Sequence, residues 1–215
     1  MRRFATAALL ALCLACIAAV QPARADQLLL FDYVGFDYEY PDNDGSDFGG
    51  LTNGYNGVGE LPFIDSSIPT NYADNQYTYF LTGLTATSRT DIAGYAVIEY
   101  SAGTLAVYED PKSGGTPFDY GTNPPAGSAP ATFTDGTAIL TFSVDQFRIV
   151  VNTVTGAGSY DSEVQLTGGT LAGFVPAPQK GWQFAGVTGR SVTIPLGFVH
   201  QVDGQVYLTD PTPAR

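Results

Sequence analysis

Cysteine is almost missing from this 215-residue chain: Cys13 and Cys16 are the only two, and both lie within the first 25 residues. Those residues are composed like a secretory leader. Arg2 and Arg3 precede a small-residue apolar run from Phe4 to Val20, and Gln21-Pro22 leads to the cleavage site Ala23-Arg24-Ala25 before Asp26. Removal of residues 1–25 leaves a mature chain with no cysteine, which excludes disulfides, thiolate metal sites and a cysteine nucleophile. A membrane anchor is the alternative to cleavage, but the run is short and a breaker follows it at once. A lipidated Cys16 is a weaker alternative, because Cys13 stands where such a site wants Leu.

Basic residues are scarce as well. Lys and Arg number nine, three of them in the leader, against 21 Asp and Glu, so the mature charge is −15. Such a field repels phosphate backbones, so no nucleic-acid partner is expected; it suits solubility outside the cell and the capture of cations. There is one histidine, His200, and no Gly-x-Ser-x-Gly elbow to accompany it in a serine triad. Zinc would have to rest on carboxylates, and no glycine-rich loop ends in Lys-Ser or Lys-Thr to hold a phosphate. No stretch after the leader keeps a helical period, and no membrane contact is expected once the leader is gone.

What the chain does have is alternation. In Ala138–Val144 the apolar residues recur at every second position, and after Asp145 the parity flips to Phe147, Ile149 and Val151. Either a turn or a bulge at Asp145-Gln146 explains the flip, and the bulge is favoured because Asp-Gln lacks the preference of hairpin turns for φ > 0. Leu28–Tyr40 alternates with a parity switch assigned to Gly35. Further strands are expected over Gln76–Leu84, Asp91–Tyr100, Thr104–Glu109, Phe147–Val154, Ser159–Thr167 and Thr170–Val175. A Ser101-Ala102-Gly103 link suggests a hairpin. Asp203-Gly204 between Val199–Val202 and Gln205–Leu208 is the strongest hairpin signal. Pro41–Asn75, Asp110–Asp135 and Pro176–Gly197 read as irregular connections, and residues 210–215 as a flexible tail.

These features predict an all-β protein. The expected fold is a single antiparallel β-sandwich or jelly roll over residues 26–209. An outer-membrane barrel shares the alternation, yet its outward band should be more apolar than the Asp161-Glu163-Gln165 face.

Three stretches, Tyr108-Glu109-Asp110-Pro111, Tyr120-Gly121-Thr122-Asn123-Pro124-Pro125 and Phe133-Thr134-Asp135-Gly136-Thr137, give the region from Gln76 to Thr209 a resemblance to secreted bacterial β-rich proteins associated with PEP-CTERM sorting. The resemblance implies a shape and carries no chemistry. The sorting tag itself, a Pro-Glu-Pro motif with a membrane helix and basic cluster, is not present before Arg215, so free secretion is the simpler expectation.

Candidate sites follow from composition. Tyr55, Tyr72 and Tyr120 stand in Gly/Asn-rich surroundings and Trp182 is the only indole, so these four are the candidate platforms for sugar rings. Asp42-Asn43-Asp44-Gly45-Ser46-Asp47 has half the rhythm of a calcium loop. Asp42, Asp44 and Asp47 are its candidate ligands, while Tyr40 and Leu51 at the outer ligand positions exclude an EF-hand. The plainer reading of that stretch is a solvated acidic turn. Asp161 and Glu163 form a carboxylate pair better read as a solvated face than as a hydrolytic pair. His200 is expected at a hairpin edge, facing solvent. The expected protein is thus secreted and non-enzymatic, a structural or adhesive component whose partner is an extracellular glycan or surface component. A carbohydrate-binding module is the alternative, and a glycoside hydrolase comes third.

Overall fold

The computed structural model describes residues 27–40, 48–112, 131–176, 178, 180–190, 194 and 197–209. Among these residues nine strands carry the fold: β1 (Gln27–Tyr40), β2 (Gly54–Ile64), β3 (Asn75–Ile92), β4 (Tyr95–Tyr100), β5 (Gly103–Pro111), β6 (Thr137–Asn152), β7 (Gly158–Gly168), β8 (Trp182–Gly189) and β9 (His200–Thr209). All pairings are antiparallel, and each strand pairs with its neighbour in sequence except β4 with β5. β4 and β5 run on one line between β3 and β6, so the ring has eight positions. β9 returns to β1 with Gln27 opposite Thr209, which closes the sheet on itself.

The protein is therefore an eight-stranded up-and-down β-barrel, not a sandwich or jelly roll. The two architectures share the alternation on which the sandwich expectation rests; the up-and-down strand order and the β1–β9 ladder separate them, and strand pattern encodes neither.

Several local expectations change with the architecture. Asp203-Gly204 is no hairpin turn but the middle of β9, with Gly204 paired to Tyr33 on one side and Gly186 on the other. A tight turn with two positive φ values sits instead at Ala93-Gly94 (50° and 85°), joining β3 to β4. Asp91–Tyr100 looked apolar on both parities because it straddles that turn. Ser101-Ala102 interrupts a continuing line of chain and reverses nothing. The stretch read as one long loop from Pro41 to Asn75 contains β2, and the one from Pro176 to Gly197 contains β8. Thr170–Val175 holds a turn and a short 3-10 helix, Ala172–Phe174, where a strand was expected. The bulge after Asp145 is present: the β6–β7 register shifts between Asp145 and Arg148, and Gln146 takes φ 55°.

The barrel is filled by side chains. Phe31, Tyr33, Tyr79, Phe142, Phe147, Trp182 and Phe184 are all fully buried. Tyr33 stacks on Phe184 at 4.9 Å and 14° and meets Tyr79 edge-on at 5.0 Å, while Phe147 reaches Tyr55, Tyr160 and Phe184. The hydroxyls of Tyr33 and Tyr160 bond to each other at 2.7 Å across the interior. Room for these rings comes from glycine: a Cβ at Gly204 would collide with the Tyr33 hydroxyl, and one at Gly186 with that of Tyr160. A smaller apolar cluster lies outside the ring, where Phe198 and Phe133 join Tyr38 and Val58.

Candidate functional site

Among the described residues two places combine chemistry with geometry, one at each end of the barrel. The first is inside. On β1 the inward positions run Phe31, Tyr33, Gly35, Asp37, Glu39 without a parity switch, so the apolar face passes directly into two carboxylates, both buried. Phe36 lies on the opposite face against Phe198, at 5.0 Å, which explains why aromatic content alone placed a switch at Gly35.

Asp37 is held from two strands. The backbone N–H of His200 donates to its Oδ1 at 2.7 Å, and the His200 Nδ1 lies 3.1 and 3.0 Å from the two carboxylate oxygens. The Tyr55 hydroxyl donates to Oδ2 at 3.0 Å. His200 is 1% exposed, so the expectation of a solvent-facing edge residue is overturned. It shares the inward parity of Val202, Gly204, Val206 and Leu208, a pattern hidden by reading Asp203-Gly204 as a turn.

Glu39 accepts the Gly49 N–H on both oxygens, at 2.9 and 3.0 Å, with the Tyr100 hydroxyl 3.3 Å from Oε1 and the Asn53 amide 3.5 Å from Oε2. Burial pushes its carboxyl up to about 8; the Gly49, Asn53 and Tyr100 contacts oppose that rise and the Asp37 charge adds to it. Tyr55 and Tyr100 are likewise raised well above the ordinary phenol value, chiefly by burial. Phe48 sits edge-on against the His200 ring at 4.5 Å and is itself buried. An imidazole–carboxylate–phenol chain, with Asp37 in the middle, beside a carboxyl held neutral near pH 7 has the parts of acid–base chemistry. Here those parts bond to one another beneath Phe48, and the network ties β1, β2, β4, β9 and the Phe48–Asn53 segment together.

The second place is a surface cleft of about 130 Å³ at the opposite end, where β2 and β3 meet the β2–β3 turn. Tyr72, 38% exposed, forms one wall. Its hydroxyl donates to the Leu61 carbonyl at 3.0 Å, its own carbonyl accepts from Lys112 Nζ at 2.7 Å, and its ring meets Tyr77 at 4.7 Å. Tyr77 is fixed in turn by Glu109 at 2.7 Å and by the Asn71 N–H at 2.7 Å.

The candidate platforms for sugar rings are thus not brought together. Trp182 is fully buried, its indole N–H donating to the Pro178 carbonyl at 2.9 Å, and Tyr55 is buried in the acidic end of the barrel, so neither presents a ring to a ligand. Tyr72 alone is exposed in a cleft. Tyr120 lies outside the described residues, as do Asp42, Asp44 and Asp47 with the calcium expectation they carry. Among the described residues no group of three or more His, Cys, Asp or Glu is arranged to hold a metal. Asp161 and Glu163 are exposed on the outer face of β7. No family profile matches the chain, and no curated protein or solved structure is significantly similar to it.

Proposed function

We propose that this chain is an exported, acidic, non-enzymatic β-barrel that acts as a structural or adhesive component at the cell exterior. The observation that carries the reading is the use of the barrel interior: rings fill it, and its acid–base groups, Asp37, Glu39, His200, Tyr55 and Tyr100, are engaged with one another under Phe48. What faces outward on β7 and β9 is Asp161, Glu163, Gln165, Gln201, Asp203 and Gln205, all exposed. A lipid-facing band would be apolar at such positions, so the same observation favours an aqueous setting over insertion in a bilayer. The composition of residues 1–25 supports export.

The test is where the protein goes. A tagged full-length chain expressed in its native host is expected outside the cytoplasm and retained on intact cells or their matrix. Cytoplasmic recovery overturns export, and recovery in the medium without retention overturns the adhesive role. Turnover of a panel of glycosides would replace this reading with a hydrolase.

A further inference from the structure

We infer that the Tyr72 cleft is a binding subsite for a single neutral sugar ring. The inference rests on the adhesive reading above only for the place where such a sugar is met. Volume sets the scale: about 130 Å³ is well below the roughly 300–1,000 Å³ of sites for drug-sized ligands, and suits one ring held at the end of a longer chain. The walls are of two kinds. Tyr72 and the exposed Pro62 offer an apolar side with an aromatic ring, the surface on which the C–H face of a pyranose stacks. The polar part of the lining is Glu60, Asn75, Gln76 and Lys112, whose ammonium also bonds to the Tyr72 carbonyl.

That polar set selects the ligand class. A carboxylate in the lining opposes an anion, and an ammonium opposes a cation, whereas neighbouring hydroxyls use both, donating to the carboxylate and accepting from the ammonium and the amide. A neutral polyol with one apolar face satisfies both walls together.

The cleft is also fixed before any ligand arrives. Tyr72 is anchored by the Leu61 and Lys112 hydrogen bonds, and its turn is closed by the Asn71 amide bonding to Asp74 at 2.7 Å and the Ala73 N–H to Asn71 Oδ1 at 3.1 Å. Ordering costs that a mobile loop would meet on binding are therefore already met in folding.

Titration of the exported protein with glucose, galactose, N-acetylglucosamine and their oligomers, followed by backbone amide NMR shifts, tests the inference. The expected result is saturable binding in the millimolar range by at least one of them, with shifts confined to the segments around Tyr72, Tyr77 and Lys112. Tyr72→Ala should weaken it by about tenfold, and Tyr72→Phe, which keeps the ring, should retain most of it. Unchanged melting of the Ala variant identifies the loss as one of contact. Absence of shifts with every sugar overturns the inference, as does binding that Tyr72→Ala leaves intact. Inorganic phosphate is expected to leave the cleft unperturbed, and phosphate binding there without sugar binding also overturns it. A protein that binds sugar at Tyr72 but is not retained on cells refutes the adhesive reading alone; retention without sugar binding refutes the cleft alone.

Discussion

Glu39 has the clearest measurable consequence of any single residue. Its carboxyl ionises near 4.5 in an unfolded chain and is pushed up to about 8 in the fold. Below about 4.5 it is protonated in both states and makes no difference to stability. Between about 4.5 and 8 the unfolded state loses the proton that the folded state keeps, so the Glu39 contribution is lost progressively as pH rises, and above about 8 the slope ends. Glu39→Gln keeps an oxygen for the Gly49 N–H and removes the ionisation. We expect the variant to match the parent near pH 4 and to exceed it increasingly up to pH 8, by a few kcal/mol at most, since relaxation around the charge softens the full linkage. Parallel stability curves for the two proteins across this range, from chemical denaturation, would show that Glu39 does not titrate this way.

Strand elements were legible from alternation where one face is apolar and the other wet. β6, its bulge and β7 follow the pattern closely, because Asp161, Glu163 and Gln165 stand in water while Tyr160, Val164 and Leu166 face inward. Alternation was misleading where both faces are covered or where the interior is polar. β1 carries Phe36 and Tyr38 toward an outer cluster and Asp37 and Glu39 toward the core, the reverse of what hydrophobicity suggests. β9 contains an Asp-Gly pair because Tyr33 needs Gly204 free of a Cβ, a tertiary demand that imitates a turn signal. Among the candidate ligand residues, Tyr72 could be placed only by the turn that presents it, while Trp182 and Tyr55 were drawn inward by the need to fill the barrel. The β9 account gives a prediction distinct from a turn: Gly204→Val should destabilise by about 1–3 kcal/mol through overpacking against Tyr33. Tyr33→Phe, which shortens that side chain by its hydroxyl, should make the same substitution less costly. A double-mutant cycle in denaturant with no coupling between the two sites would disprove the contact as the cause.

At the scale of the whole molecule, the pairing of Gln27 with Thr209 governs how the native state is reached. Neighbouring strands can form successive hairpins, but the seam between β1 and β9 joins residues at least 163 positions apart along the chain, the separation of Asp37 and His200. Loop closure over such a span is slow relative to local pairing, and until it occurs β1 and β9 each expose an unpaired edge. The only tryptophan, Trp182, begins β8, which pairs with β9 on the side away from the seam, and is fully buried in the finished barrel, so its emission reports closure. A chain terminated at Val199 should show red-shifted Trp182 emission and self-associate through its open edges, whereas the full chain should reach blue-shifted emission in a phase of milliseconds to seconds. Native-like emission from a monomeric truncated chain would mean that the ring is stable without its last stave. If the seam does form last, a nearly complete sheet must be kept from meeting its own kind until the ten residues of β9 have been made and have found β1.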